Sequence, residues 1–450
     1  MLSQIFAVAI FLLMFIVIII NKFPRYVPAL VGGAFSILIV FLLIMRSPTT
    51  VVNVLNIGQI GQKAFWVVGK QPLESHGVNW QTIIFIGGMM VMVEGLGRVG
   101  FFRWLCLYVA RLVNYKAVSI LIVFTLLAGF LAMFIDSITV LLFFATVTIE
   151  LARLMEFDPV PVIIAEIFAS NVGGSATMAG DPPNIIIGTA LGYSFSDFLV
   201  NTGLIAWVGM LAALVFFYFA FRKSLKKSQN EAKIDHSQYP EPGKAITNKG
   251  LFAISILIFL FVITLLITHA QTGVSVALIG VIAAGLTLIF GYQNAVHIIK
   301  KVDWQTLVFF FGLFICVSGL EQTGALLTLS KFISNVSGGS LIVVITIILW
   351  VSAFASAVVD NIPFAATMIP VIKDLAATGM PLPPLAWSLA LGTDIGGNGT
   401  PIGASANVVG TAIAEKEGYH ITWGRFIKYA LPAMIMVVGI CWLLLIVRYA

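Results

Sequence analysis

Two stretches of this chain interrupt apolar runs in the same way. Asn171 to Asn184 reads Asn-Val-Gly-Gly-Ser-Ala-Thr-Met-Ala-Gly-Asp-Pro-Pro-Asn, and Asp394 to Asn407 reads Asp-Ile-Gly-Gly-Asn-Gly-Thr-Pro-Ile-Gly-Ala-Ser-Ala-Asn. Each places glycines, proline, an acid and small polar side chains inside a segment otherwise apolar enough to span a bilayer. Glycine permits unwound backbone, and proline removes an N–H that would lack a partner. A single such stretch is compatible with a packing kink. Two in register predict two helices broken at mid-membrane. Lipid offers no hydrogen bonds, so the freed backbone must be buried in protein or line a polar cavity.

Composition agrees with a bilayer as the main solvent. Of 450 residues, 60% are hydrophobic and 10% charged, against about 25% charged in a soluble domain. The net charge of +6 reads as basic cytoplasmic loops and not as nucleic-acid binding. Cys106, Cys316 and Cys441 are scattered and read as small apolar residues. The histidines show no metal spacing, and no cofactor is expected. Gly95-Leu-Gly97-Arg-Val-Gly100 matches a dinucleotide fingerprint but ends a membrane span, so it is read as a helix terminus and turn.

Along the chain, spans are expected at about 4–20, 27–45 and 80–97, with a more polar segment at 46–79 containing Lys63, Lys70, Glu74 and His76. An amphipathic surface helix is expected at 98–116. The stretch 117–155 is apolar with Asp136-Ser137-Ile138-Thr139 at its middle, the pattern of a re-entrant hairpin. The first broken helix occupies about 159–191, and a span follows at 198–221. The N-terminal run has no basic residue before it and is too long for a signal peptide, so it reads as a first span.

The segment 222–249 contains Arg222, Lys223, Lys226, Lys227, Lys233, Lys244 and Lys249 and reads as a cytoplasmic linker. The pattern then restarts. Spans fall at 251–268, 274–291 and 304–321, a surface segment at 322–340, and an interrupted run at 341–375 with Asp360-Asn361-Ile362-Pro363 at its centre. The second broken helix covers about 384–415 and a last span 425–447. Trp80-Gln81-Thr82 recurs as Trp304-Gln305-Thr306, Gly95-Leu96 as Gly319-Leu320, and Asp136 as Asp360. The breaks align one residue closer, Gly173-Gly174 with Gly396-Gly397 and Asn184 with Asn407. The expected organisation is therefore a first repeat at 1–221, the linker at 222–249 and a second repeat at 250–450.

Without the hairpin, each half crosses five times. An odd count inverts the second half, giving two inverted repeats of five transmembrane helices plus one hairpin each, an all-α polytopic transporter architecture. Charge fits one orientation. With both termini outside and 222–249 cytoplasmic, all of the 25 Lys and Arg fall inside except Arg46, Lys63, Lys70, Lys331, Lys373 and Arg448.

Half-helix ends expose N–H and C=O groups with partial charges. Asn171, Gly173, Gly174, Ser175, Thr177 and Asn184 from the first break, Gly397, Asn398, Thr400 and Asn407 from the second, and Ser137 and Asn361 at the tips are the candidate ligands for a small solute or ion. Asp136, Asp360, Asp394 and Asp181 are the candidate proton or cation carriers, since intramembrane acids are costly and functional by default. No Lys or Arg lies in the same stretches, so no basic partner is evident from the sequence. Asp181 and Asp360 also suit helix capping. Glu94, Glu150, Glu166 and Glu321 read as structural, with Glu150 close to Arg153.

The first break resembles that of the arsenite permease and P-protein branch of the ion transporter superfamily, and the second is similar to it. That superfamily includes NhaD-type sodium/proton antiporters and divalent anion/sodium symporters. The resemblance implies a scaffold of the first two spans of each half, a mobile transport domain of hairpins and broken helices, an elevator movement and a homodimer. The symporters have Ser-Asn-Thr at each tip, where this chain has Asp136-Ser137-Ile138-Thr139 and Asp360-Asn361-Ile362-Pro363. Acids there favour H+ or Na+ as coupling ion. The expected function is an inner-membrane transporter, not an enzyme, exporting arsenite or a related metalloid acid by proton antiport. The alternative is Na+/H+ antiport, and sodium-coupled carboxylate uptake stands behind both.

Overall fold

The computed structural model describes residues 1–20, 22–67, 77–229 and 239–450. Lys70, Glu74, His76 and the middle of the linker lie outside the described residues. No strand forms among those described, and nine helices are long and apolar enough to cross a membrane. The polytopic all-α fold expected from the sequence is present.

The first half comprises α1 (Leu2–Ile20), α2 (Tyr26–Phe35, continued by a π-helical stretch, Ser36–Ile44), α3 (Trp80–Arg98), α4 (Phe101–Leu112), α5 (Ala117–Ala132), α6 (Ser137–Met155), α7 (Val160–Gly174), α8 (Pro182–Leu191) and α9 (Leu204–Gln229). The second comprises α10 (Lys249–Thr272), α11 (Val276–Phe290), α12 (Trp304–Gln322), α13 (Ala325–Ser337), α14 (Leu341–Val358), α15 (Asn361–Ala377), α16 (Leu382–Gly396), α17 (Ser405–Lys416) and α18 (Trp423–Tyr449). The succession of α1–α9 thus recurs in α10–α18.

The repeated Trp-Gln-Thr has a local cause. Asn79 caps α3 by accepting from Thr82 N–H at 3.0 Å, and Asp303 caps α12 by accepting from Thr306 N–H at 3.1 Å. Trp80 Nε1–H donates to Leu55 O and Trp304 Nε1–H to Ile299 O, both at 2.8 Å. Each indole fixes the chain entering its span. In α4, Phe102, Cys106 and Ala110 are buried while Arg103 and Arg111 are exposed, the one-sided pattern of a surface helix. The predicted span 198–221 extends further, because Arg222, Lys223 and Lys226 are good helix formers and α9 runs on into the linker.

Helices α2 and α11 cross α12 and α3 respectively. Around them, hairpin α5–α6 and hairpin α14–α15 pack on the broken helices, α5 on α7 and α14 on α16. Charged contacts gather at one end: Arg103 with Glu150 at 2.7 Å, Arg153 with Glu417 at 2.6 Å, and Arg425 with Asp158. Glu150 therefore bonds Arg103 and not its sequence neighbour Arg153. One turn of helix separates 150 from 153, but α4 lies alongside and presents Arg103 directly.

Candidate functional site

Each broken helix is closed by an asparagine from its own second half. Asn184 Nδ2 donates to Gly174 O and Thr177 O, both at 3.0 Å. Asn407 Nδ2 donates to Gly397 O at 2.8 Å and Thr400 O at 2.7 Å. These bonds satisfy carbonyls that lose their helical partners where α7 and α16 stop. Thr177 Oγ1 donates to Met133 O and Thr400 Oγ1 to Ala357 O, so each break is also tied to its hairpin. Ser175 Oγ donates to Val172 O at 2.7 Å within its own turn.

Glycine is required where hairpin meets break. A Cβ on Gly173 would stand 2.0 Å from Gly129 O, and one on Gly396 would stand 2.3 Å from Ala353 Cα. Gly174 packs against the Asp181 carboxylate. The two breaks are joined directly: Asn171 Nδ2 donates to Asn398 Oδ1 at 2.9 Å and to Asn407 Oδ1 at 2.8 Å.

The acids break this symmetry. Asp394 occupies the position equivalent to Asn171, and Ala404 the position equivalent to Asp181. Asp181 precedes α8 without capping it; its Oδ1 lies 3.4 Å from Ser137 N–H on the first tip. Asn361 Nδ2, on the second tip, lies 3.5 Å from Asp394 Oδ1. Asp136 caps α6, accepting from Thr139 N–H at 3.0 Å and Thr139 Oγ1 at 2.7 Å. Asp360 caps α15, accepting from Ile362 N–H at 3.1 Å. Several buried oxygens have no donor: Asp181 Oδ2, Asp394 Oδ2, Asn171 Oδ1 and Asn184 Oδ1. Asn184 lies within hydrogen-bond reach of Asp394.

The hairpin tips meet at a cavity of about 290 Å³. Of the residues expected from sequence, Asp136, Ser137, Asp181 and Asn361 line it. Asn171, Gly173, Gly174, Ser175, Thr177, Asn184, Asp360, Asp394, Gly397, Asn398, Thr400 and Asn407 do not; Asp360 lies beside Arg25, which does. The spans add Arg25 and Tyr26 at the start of α2, Met89 and Met90 in α3, and Asp303, Gln305, Thr306 and Phe309 at the start of α12, and the rest of the wall, including Ser405 of α17, comes from the hairpins and broken helices. The structure supplies the basic partner that the sequence did not make evident. Arg25 forms an ion pair with Asp360 and donates to Ser405 Oγ at 2.7 Å. It comes from a loop remote in sequence, so no local pattern places it at the tip.

A model of the citrate transporter family, CitMHS, matches residues 14–392. The chain belongs to this family. It is a secondary transporter and a multi-pass membrane protein. The CitMHS chain is 31% identical over 376 residues to an uncharacterized transporter of Mycobacterium tuberculosis, covering 83% of this chain and 87% of the relative. It is 30% identical over 507 residues to the human P protein, covering 92% of this chain and 59% of that protein. The fold is similar to that of the Alcanivorax borkumensis YdaH transporter, described as having an unusual topology, with a TM-score of 0.57, 13% identity and coverage of 99% and 98%. These matches agree, at the level of the superfamily, with the resemblance read from the breaks.

Proposed function

We propose that this transporter exports a small, uncharged oxyacid, arsenite or a related metalloid acid, in exchange for protons. One observation supports this reading above others: three carboxylates, Asp136, Asp181 and Asp303, face the cavity, and its guanidinium, Arg25, is already bound to Asp360. A hydroxylated neutral solute finds hydroxyl and amide partners in Ser137, Asn361, Gln305 and Thr306. A polyanion such as the citrate of the family's name would meet net negative charge, unless it entered with a neutralising cation. The volume suits a small solute. The cavity lies towards the ends of α2 and α12 that bear Arg25 and Asp303, the cytoplasmic end by the positive-inside rule. The hairpins and broken helices would then move together as the carrier, within a homodimer.

The donorless oxygens favour a second reading. Asp394 Oδ2 and Asn184 Oδ1 are both buried acceptors without donors. A proton or a sodium ion between them would relieve both. Na+/H+ antiport through the same acids is therefore the alternative.

Proteoliposomes with an imposed pH gradient separate these readings. The proposal expects arsenite to accumulate against its gradient as the pH gradient collapses. Gradient collapse with sodium alone makes the protein a cation antiporter. Uptake of citrate, with or without a divalent cation, as the sole coupled flux would overturn both.

A further inference from the structure

The tip of the second hairpin is held by a residue from the spans that frame the cavity. Arg25 Nη1 donates to Asp360 Oδ2 and to Ser405 Oγ, so one nitrogen touches both the tip of α14–α15 and the first turn of α17. Among ion pairs between described residues, this is the one that joins α1–α3 and α10–α12 to the hairpins and broken helices. Asp360 is almost wholly buried, with a side-chain exposure of 3%.

The opposite tip has no counterpart. Asp136, the equivalent of Asp360, turns both oxygens onto Thr139. The helix crossings identify what stands where Arg25 would be. Gly312 of α12 meets Ala29 of α2, and its equivalent Gly88 of α3 meets Gly280 of α11. In that register Arg25 corresponds to Val276, the first residue of α11 and buried. An apolar side chain occupies the place of the cation.

We infer that Arg25, Asp360 and Ser405 form a one-sided latch. It holds the second hairpin and α17 in the observed position, and departure from that position requires the Arg25–Asp360 pair to be broken. Withdrawing an ionised Asp360 would leave a buried carboxylate without its counter-charge, which is strongly unfavourable. Arg25 and Ser405, the partners of Asp360, both line the cavity, so its water reaches the pair through them; in acid a neutral carboxyl forms and Arg25 exchanges the ion pair for water. The charged groups around Asp360 are Arg25, Asp181 at the start of α8, and Asp394 of α16, whose Oδ1 lies 3.5 Å from the neighbouring Asn361; Asp136 and Asp303 line the adjoining cavity. The opposite position has no such lock, because Val276 and Asp136 cannot pair. The latch is independent of the transported solute and of the coupling ion, because it rests on the contacts of Arg25 alone.

Spin labels on exposed Val296 and Lys416 of the full-length protein, in nanodiscs and without solute, test it by double electron–electron resonance. The unaltered protein in alkaline buffer is expected to give one distance, that of the observed position, and to gain a second in acid buffer. Arg25→Gln and Asp360→Asn are expected to show the second distance already in alkaline buffer, with a population shift of about tenfold or more. Arg25→Lys, which keeps the charge, restores most of the single distance. An alkaline distribution for both Arg25→Gln and Asp360→Asn identical to the unaltered protein would overturn the latch, whatever the coupling ion. If the distributions shift but no solute flux responds to a pH gradient, the proton-antiport reading fails and the latch stands. An Arg25→Gln protein that passes gel filtration as a single peak excludes misfolding as the cause.

Discussion

Asn171 Nδ2 donates to Asn407 Oδ1 at 2.8 Å, across 236 residues of sequence, and so bonds the first broken helix to the second. The same nitrogen reaches Asn398 Oδ1. Asn407 is itself the residue that closes its own break. Asn171, Asn398 and Asn407 are thus one connected set of amides, which bonds the two breaks to each other.

Asn171→Ala should therefore destabilise more than its size suggests. It strands two buried amide oxygens, each costing about 1–3 kcal/mol, so a loss of roughly 2–6 kcal/mol is expected. Asn171→Asp should be worse still while ionised, because a carboxylate would face two carbonyl oxygens. The reciprocal change at the equivalent position, Asp394→Asn, should be tolerated in stability. Thermal unfolding of the purified proteins gives the ranking; equal melting temperatures for Asn171→Asp and Asp394→Asn would contradict it.

The close contact of Gly173 with Gly129 predicts a second outcome. A Cβ 2.0 Å from a carbonyl oxygen cannot be accommodated without separating α5 from α7. Gly173→Ala and Gly396→Ala should each cost about 1–3 kcal/mol or more and abolish transport. Gly58→Ala and Gly243→Ala, where nothing lies within 4 Å, should be silent. Detergent stability and flux measured side by side check this, and normal flux through Gly173→Ala would show the packing to be looser.

Much of this arrangement was legible in the sequence because lipid makes polar residues conspicuous. Gly-Pro-Asp clusters inside apolar runs located both breaks, and Asp136 and Asp360 located both tips. The partners were not legible. Thr177 and Thr400 were candidate ligands as hydroxyls, yet both are bound to hairpin carbonyls. Asp303, just before the expected span 304–321, is both a helix cap and a cavity wall, and no motif marks it. Arg25 lies 335 residues from Asp360 and resembles any cation at a membrane surface. Its place directly before an apolar helix, at the end where basic residues collect, was the only local signal.

Capping and charge can be separated at Asp136. Asparagine is as good a cap as aspartate, so Asp136→Asn should keep α6 intact and remove only the ionisable group. Asp136→Ala removes both and should cost about 1 kcal/mol in addition. If Asp136 carries a proton, both variants lose pH-driven flux while only the alanine loses stability. Retained pH-driven flux in Asp136→Asn would assign this acid to capping alone.

Glu166 provides the contrast among the acids. It is fully buried, accepts from Thr148 Oγ1 at 2.5 Å, and its Oε2 has no donor. By burial and isolation it resembles a carrier as much as Asp181 does. Yet it does not line the cavity. Asp360 and Asp394 touch residues that line the cavity, Arg25, Ser405 and Asn361, whereas the one hydrogen-bond partner of Glu166 among the described residues is Thr148, which does not line it, so Glu166 has no route for proton exchange during transport. Glu166→Gln keeps an acceptor for Thr148 and nearly the same volume, so packing should survive. Flux driven by a pH gradient should stay within about twofold of the unaltered protein, a free-energy change of no more than ~0.4 kcal/mol. The measurement is made beside Asp181→Asn, for which flux should collapse. A collapse in Glu166→Gln with an unchanged melting temperature would place Glu166 on the proton path.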